Sequence, residues 1–305
     1  MTVKIKNIVG GNPCNIDGKP IDKPMNFKSR VLSEELLDRG QVKDAKRIFQ
    51  INNELYFLKH NNSNSYKVGV LDLDTKEVKM YENPWSSYGY LNLARCFIEL
   101  NNDIFILNSD YTRLYLLKLD KSDSIYTPVY TASSLDIAQD MITVYENNIY
   151  LASGKETTQS ITANLVRLNK DNSLTVIANI RDCIYAPQFP EQSKGDNMMF
   201  TFNNYIYITN TINSLYKLNM KNNAKKTLVS SNVSIIDRAF LDSGIGELNG
   251  KYYFSKNYIL NKNDSFTQYN YNQNTITGGG IVDNSLLVSV GSDLKFIDKK
   301  IYEEI

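Results

Sequence analysis

Nine residues have the types needed to recognise a ligand: Trp85, Tyr88, Tyr90, Tyr111, Arg113, Arg181, Tyr185, Phe189 and Arg238. Aromatic planes beside Arg, Asn, Asp and Gln suit a sugar or a protein epitope. Such a ligand is apolar on one side and polar at its rim. Four carboxylates, Asp136, Asp140, Glu191 and Asp242, offer acid and base groups for glycoside chemistry, but no spacing selects two of them. Arg181-Asp182 and Asp237-Arg238 are adjacent opposite charges that read as surface ion pairs or as an anchor for a carboxylate. His60 stands beside Asn61-Asn62-Ser63 in what reads as an exposed polar loop, away from any Ser or Cys nucleophile signature. Asp72 and Asp74 fall far short of an alternating oxygen series for calcium and read as solvated turn residues. No residue is assigned a catalytic or metal-binding role, and no cofactor is expected.

Composition narrows the classes further. The chain has 305 residues, with 34 Lys plus Arg against 33 Asp plus Glu and a net charge of +1. That balance argues against a nucleic-acid groove or a polybasic membrane surface. One histidine excludes a His-rich zinc site. Cys14, Cys96 and Cys183 are scattered and odd in number, which is not a disulfide framework, and three reduced thiols fit synthesis in the cytoplasm. Met1 to Gly11 lacks the apolar segment of a secretory signal, and no run approaches a membrane span. The 37 asparagines, with abundant Lys, Ile and Tyr, match AT-rich coding sequence of a bacterium or its phage.

The elements that must position these residues come from a repeat. An Asn, Asp or Gly turn followed by an alternating apolar strand begins at Asn52-Asn53, Asn101-Asn102, Asn147-Asn148, Asn203-Asn204, Asn249-Gly250 and Asp283-Asn284. Leu55, Ile104, Ile149, Ile206, Tyr253 and Leu286 are equivalent, at steps of 49, 45, 57, 47 and 33 residues. A strand–turn–strand unit follows each copy, as in Val70–Thr75, Leu116–Lys121, Leu165–Lys170, Leu215–Met220 and Leu294–Lys299. In the fifth copy either Tyr258–Lys262 or the Tyr269-Asn270-Tyr271 stretch fills that place. Asn and Gly tolerate φ > 0 and close tight hairpins. About four short strands per roughly 47 residues is the pattern of a propeller blade. The expectation is an all-β, six-bladed β-propeller over residues 43–305.

These repeats resemble kelch-like and other six-bladed propeller families. The resemblance implies a fold and no functional residues. The kelch Gly-Gly pair after the second strand is replaced by Leu58-Lys59, Asn108-Ser109 and Thr209-Asn210. The glycine run Gly278-Gly279-Gly280 lies before the sixth such strand, and Trp85 is the sole tryptophan. Sialidase boxes of the form S-x-D-x-G-x-T-W are missing, which counts against that chemistry.

With strands labelled a to d from the centre outward, a–b and c–d turns share one face and are short. The expected long connections on the other face are b–c (His60–Tyr66, Ser109–Arg113, Ser153–Ala163) and d–a (Asn83–Tyr90, Thr131–Asp140, Arg181–Asp196, Asn232–Gly246). Ligand recognition is expected there.

Residues 1–42 form an irregular arm. Val3 and Ile5 mark a short strand, Gly10, Gly11 and Pro13 break regular structure, and Ser33 to Arg39 reads as a short helix ending at Gly40. Two roles are open for the arm: it packs on the ring by adding its strand to a blade, or, because Lys300 to Ile305 read as the sixth blade's own outer strand, it docks on a partner through Val3, Ile5, Leu36 and Leu37. The expected function is a non-enzymatic binding module. Its loop face recognises a surface glycan or protein, and its arm is tethered to a larger assembly such as a phage tail or tail-like bacteriocin. The alternatives are a kelch-type scaffold for protein–protein contacts inside the cell and a carbohydrate-active enzyme. Neither nucleic-acid binding nor membrane insertion is expected.

Overall fold

Residues of the repeat become strands because alternating Val, Ile, Leu, Tyr and Phe fit a half-buried pleated surface. The computed structural model describes residues 8–9, 12–13, 45–61, 65–81, 96–109, 113–120, 125–133, 141–156, 161–183, 198–210, 214–231, 246–254, 258–268, 276–282, 285–290 and 293–296. A small hairpin comes first, β1 (Ile8–Val9) paired with β2 (Asn12–Pro13). The stretch expected to break regular structure at Gly10, Gly11 and Pro13 thus includes a hairpin, with Pro13 opposite Ile8. Val3, Ile5, Leu36, Leu37 and the helix at 33–39 lie outside the described residues, as does Lys300 to Ile305.

Five sheets follow. Sheet one begins with β3 (Ala45–Ile51), β4 (Glu54–Asn61), β5 (Ser65–Asp72) and β6 (Val78–Met80). Sheet two holds β7 (Cys96–Leu100), β8 (Asp103–Ser109), β9 (Arg113–Asp120) and β10 (Ile125–Ser133). Sheet three holds β11 (Ile142–Tyr145), β12 (Asn148–Glu156), β13 (Ile161–Leu168) and β14 (Leu174–Asn179). Sheet four holds β15 (Met198–Phe202), β16 (Tyr205–Asn210), β17 (Ser214–Asn219) and β18 (Lys225–Ser230). Sheet five holds β19 (Gly246–Leu248), β20 (Lys251–Phe254), β21 (Tyr258–Asn261) and β22 (Phe266–Gln268), which settles the fifth repeat in favour of its first reading. Each is an antiparallel meander in sequence order, and together they form a β-propeller.

The sixth repeat does not stand alone, so the described propeller has five sheets rather than six blades. Its strands β23 (Ile276–Val282), β24 (Ser285–Val290) and β25 (Asp293–Phe296) join sheet one, giving the order β25-β24-β23-β3-β4-β5-β6. The junction is parallel, with Gly279, Gly280 and Ile281 opposite Arg47, Ile48 and Phe49. Glycine is required there: a Cβ on Gly280 would lie 2.1 Å from the carbonyl oxygen of Ile48. The chain's last and first repeats are thereby hydrogen-bonded to each other.

The core consists of apolar layers between successive sheets. Ile51, Tyr56 and Leu58 of sheet one meet Ile104, Ile106 and Leu117 of sheet two. Ile98 and Leu116 then meet Ile142, Leu151 and Val166 of sheet three. Tyr150, Leu165 and Cys183 meet Met199, Ile208 and Leu218 of sheet four. Phe200, Phe202 and Tyr207 meet Tyr252 and Leu260 of sheet five, with Phe200 stacked on Tyr252 at 4.1 Å. Ile48, Leu55 and Phe57 pack with Val282 and Leu287 of the sixth repeat. Each large side chain so buried stabilises the fold by about 1.5–3 kcal/mol. All six residues taken as equivalent in the repeat, Leu55 to Leu286, are buried.

The outer strands share one irregularity. Register shifts fall between Pro128 and Tyr130, between Leu165 and Val166 of β13, and between Leu215 and Tyr216 of β17. The extra residue in each case, Val129, Ile177 or Val229, packs into an apolar layer. A bulge at the same place in three outermost strands twists those edges and blunts their pairing with other chains.

Candidate functional site

Strand direction gives the propeller two unlike ends. At one end lie the pairs between first and second strands. Asn101 and Asn102, Asn203 and Asn204, and Asn249 and Gly250 all have φ between 48° and 72°, which fixes these hairpins. In sheet three the turn is Glu146-Asn147 rather than the expected Asn147-Asn148, because Tyr145 pairs with Asn148. At the other end, successive sheets are joined by residues 81–95, 134–141, 180–197, 231–245 and 269–275.

The connections between second and third strands prove short. β4 and β5 stay paired out to Asn61 and Ser65, so His60 lies in a ladder opposite Tyr66 and not in a loop. Likewise Ser109 and Arg113 end strands, as do Glu156 and Ile161. The hairpins extend because backbone N–H and C=O groups pair whatever side chains they carry. Thr131 to Ser133, expected in a connection, belong to β10. The long stretches are therefore confined to the joints between sheets.

Of the nine predicted recognition residues, two fall in described structure. Arg113 opens β9 opposite Ser133. Arg181 begins a 3-10 turn, Arg181–Cys183, that follows outermost strand β14. Trp85, Tyr88, Tyr90, Tyr111, Tyr185, Phe189 and Arg238 lie outside the described residues, as do Asp136, Asp140, Glu191, Asp237 and Asp242.

Asp182, next to Arg181, closes on Lys226 of β18 at 2.9 Å, joining the turn after β14 to the outer strand of sheet four. The hydrogen bond from Lys226 holds the Asp182 carboxyl below its ordinary pKa and the ammonium above its own. The carboxylate's contribution is full above the unfolded pKa, about 3.9, and is lost as pH falls through the folded value. Urea midpoints of the native chain and of Asp182→Asn should therefore converge as pH is lowered from about 6 to 3. A pH-independent gap would contradict this. Beneath the pair, burial pushes the Cys183 thiol up to about 11, so it behaves as a small apolar side chain.

The turn end carries an open depression of about 310 Å³ across three successive sheets. Glu146, Asn203, Asn204, Glu247 and Lys262 line it, with Thr201 below. Asn203 is fixed by donating its amide to the carbonyl of Lys262, at 3.2 Å. Thr201 shares a 3.0 Å hydrogen bond with Thr143, tying β15 to β11. Lys221 reaches Glu146 at only 3.9 Å, with both side chains largely exposed. Tyr145, also in the lining, is 4% exposed, and its hydroxyl is buried near the Glu146 carboxylate. Burial first, and then the nearby Glu146 carboxylate, raise the phenol's pKa and keep it a donor.

A second turn motif escaped sequence reading. Asn169 to Thr175 (NKDNSLT) and Asn261 to Thr267 (NKNDSFT) form the same structure. Asn169 and Asn261 each donate to the serine and threonine of their own turn. Asp171 and Asn263 each accept from the serine's amide and hydroxyl. Aligning the third-to-fourth-strand turns would have revealed it. In sheet one, Asp72 instead accepts from the amides of Asp74 and Thr75, both at 2.8 Å, and Asn53 donates to Asp74. These carboxylates close a turn. No cluster of three metal-ligating side chains occurs among the described residues. Nor is any helix among them long and apolar enough to cross a membrane.

No protein family matches the chain, and no curated protein matches it. Solved structures do. A putative 6-phosphogluconolactonase from Bacteroides uniformis aligns at TM-score 0.48 and 13% identity, covering 83% of this chain and 84% of that one. PorZ, a surface component of the type-IX secretion system of Porphyromonas gingivalis, aligns at 0.47 and 9% identity, covering 83% and 36%. TolB from Acinetobacter baumannii aligns at 0.45 and 10% identity, covering 79% and 61%. The chain thus spans about a third of the length of PorZ and three-fifths of TolB. At such identities these likenesses concern the arrangement of sheets and transfer no activity.

Proposed function

We propose that the chain is a non-enzymatic binding module whose joints between sheets recognise a surface glycan. The observation that carries this reading is the difference between the two ends. At one end every connection spans five residues or fewer, with Asn101-Asn102, Glu146-Asn147, Asn203-Asn204 and Asn249-Gly250 held at φ > 0, while the other anchors joints of seven to eighteen residues. Rigid scaffolds commonly present recognition residues on such connections. The sequence of those joints contains Trp85, Tyr88, Tyr90, Tyr185, Phe189 and Arg238; Arg113 opens β9, and Tyr111 precedes it by two residues in the sequence. Flat aromatic faces with Arg at their edge suit sugar rings. Residues 1–42 precede the repeat, and we assign them to attachment on a larger assembly of the phage-tail type.

Trp85→Ala and Tyr111→Ala are expected to weaken binding to bacterial surface polysaccharides by at least about tenfold with unchanged circular dichroism. A ligand lost at either site gives up on the order of 1–3 kcal/mol. Native-level binding by both variants would refute the choice of end. Binding to surface proteins alone would replace the glycan by a protein epitope. Deleting residues 1–42 should abolish assembly while leaving polysaccharide binding intact.

A further inference from the structure

We propose that Asn249-Gly250 is a self-modification site, where the asparagine closes on the next peptide nitrogen and becomes a mixture of isoaspartate and aspartate. Of the 37 asparagines, Asn249 alone is followed by glycine. The nucleophile in this chemistry is the peptide nitrogen of the following residue, and a side chain on that residue shields it. Glycine has no side chain and turns freely about its backbone bonds. The two-residue turns of sheets two, three and four put Asn102, Asn147 and Asn204 at the position that Gly250 holds. Asn249 is exposed at the tip of the hairpin joining β19 to β20, and the Leu248–Lys251 pairing leaves the Gly250 amide outside the ladder. Because β19 is three residues long, opening this tip breaks few pairings.

A cation sits beside the reacting bond. Lys262, in the third-to-fourth-strand turn of the same sheet, lies against Gly250: a Cβ there would be 2.6 Å from its Cε and 2.8 Å from its Nζ. An ammonium so placed stabilises negative charge on the nitrogen and on the oxyanion of the ring-closing adduct. The reaction needs only water. The deprotonated Gly250 nitrogen attacks Cγ of Asn249, the N–Cγ bond forms, and the Cγ–Nδ2 bond breaks. Ammonia leaves with a proton equivalent to the one lost from the Gly250 amide. Water then opens the succinimide ring. Cleavage between the nitrogen and Cγ gives aspartate, and cleavage between the nitrogen and the backbone carbonyl carbon gives isoaspartate. Neither step is a redox change. Isoaspartate carries the main chain through Cβ and Cγ, which lengthens a two-residue turn, so Leu248 no longer meets Lys251 in register.

The test is incubation of the folded full chain at mildly alkaline pH, followed by peptide mapping by mass spectrometry and by isoaspartate-specific enzymatic methylation. Asn249 should convert at least about tenfold faster than any other asparagine. Lys262→Met should slow the conversion about threefold or more, and that effect should vanish in urea, where the cation no longer lies beside the turn. Asn249→Gly suits the positive φ and keeps the hairpin, so its Tm should survive the incubation while that of the native chain falls. The proposal is overturned if Asn249 stays intact while other asparagines convert, if Lys262→Met reacts as fast as the native chain, or if incubation lowers the Tm of the native chain and of Asn249→Gly alike.

Discussion

Gly280→Ala is expected to lower stability by about 3 kcal/mol or more, a Tm decrease on the order of 5–10 °C. The added methyl would sit 2.1 Å from the Ile48 carbonyl oxygen and 2.8 Å from its carbon. Backbone cannot rotate aside as a side-chain tip does. Relief therefore requires β23 and β3 to part, breaking the parallel pairing at Arg47, Ile48 and Phe49. Val282 and Leu287 would then loosen from Ile48, Leu55 and Phe57. Val176→Thr is the control, because Val176 is 63% exposed on β14 and its replacement should change stability by under about 0.5 kcal/mol. Thermal melts that place Gly280→Ala beside this control would show that the seam is not what joins the last repeat to the first.

Asp264→Ala is the second large effect, at about 3 kcal/mol. Asp264 lies in the third-to-fourth-strand turn of sheet five but serves sheet four. It accepts the hydroxyl of Tyr207 at 2.9 Å and pairs with Lys217, whose ammonium also lies 4.7 Å from the centre of the Tyr205 ring. Tyr207 is fully buried, so burial, and then the Asp264 contact, drive its hydroxyl pKa up and keep it a donor. Removing the carboxylate strands that donor and a cation that is 20% exposed. Hydrogen bonds to charged groups contribute about 1.5–3 kcal/mol each. Asp264 also has φ of 65°, which alanine adopts poorly. Asp264→Asn keeps the turn and isolates the charge, so it should cost roughly half as much. A double-mutant cycle of Tyr207→Phe with Asp264→Asn should give coupling above about 0.5 kcal/mol. Additive losses would mean the two groups act separately.

Local pattern made the strands legible. The alternation around Leu55, Ile104, Ile149 and Ile206 reports burial directly, and four of the Asn turns fell where expected. What was not legible depends on partners distant in sequence. The run Gly278-Gly279-Gly280 reads locally as a misplaced kelch signature, whereas its meaning is contact with Ile48, more than 200 residues away. The polar ends of β4 and β5 read as loop because composition cannot show that His60 and Tyr66 are paired. Glu146 was overlooked because glutamate does not announce a left-handed turn. The depression it borders draws on sheets three, four and five, a grouping that no single repeat contains. Aromatic residues in the joints were visible as types, but the length of the joints follows only from the strand ends that flank them.

The central claim is that recognition occupies the end opposite the two-residue turns. Hydrogen–deuterium exchange of the full chain, with and without saturating bacterial surface polysaccharide, addresses it most directly. The account predicts slowed exchange in peptides covering residues 81–95, 110–112, 180–197 and 231–245, with little change at Asn101-Asn102 or Asn249-Gly250. Protection centred on those turn pairs, with the joints unchanged, would contradict it.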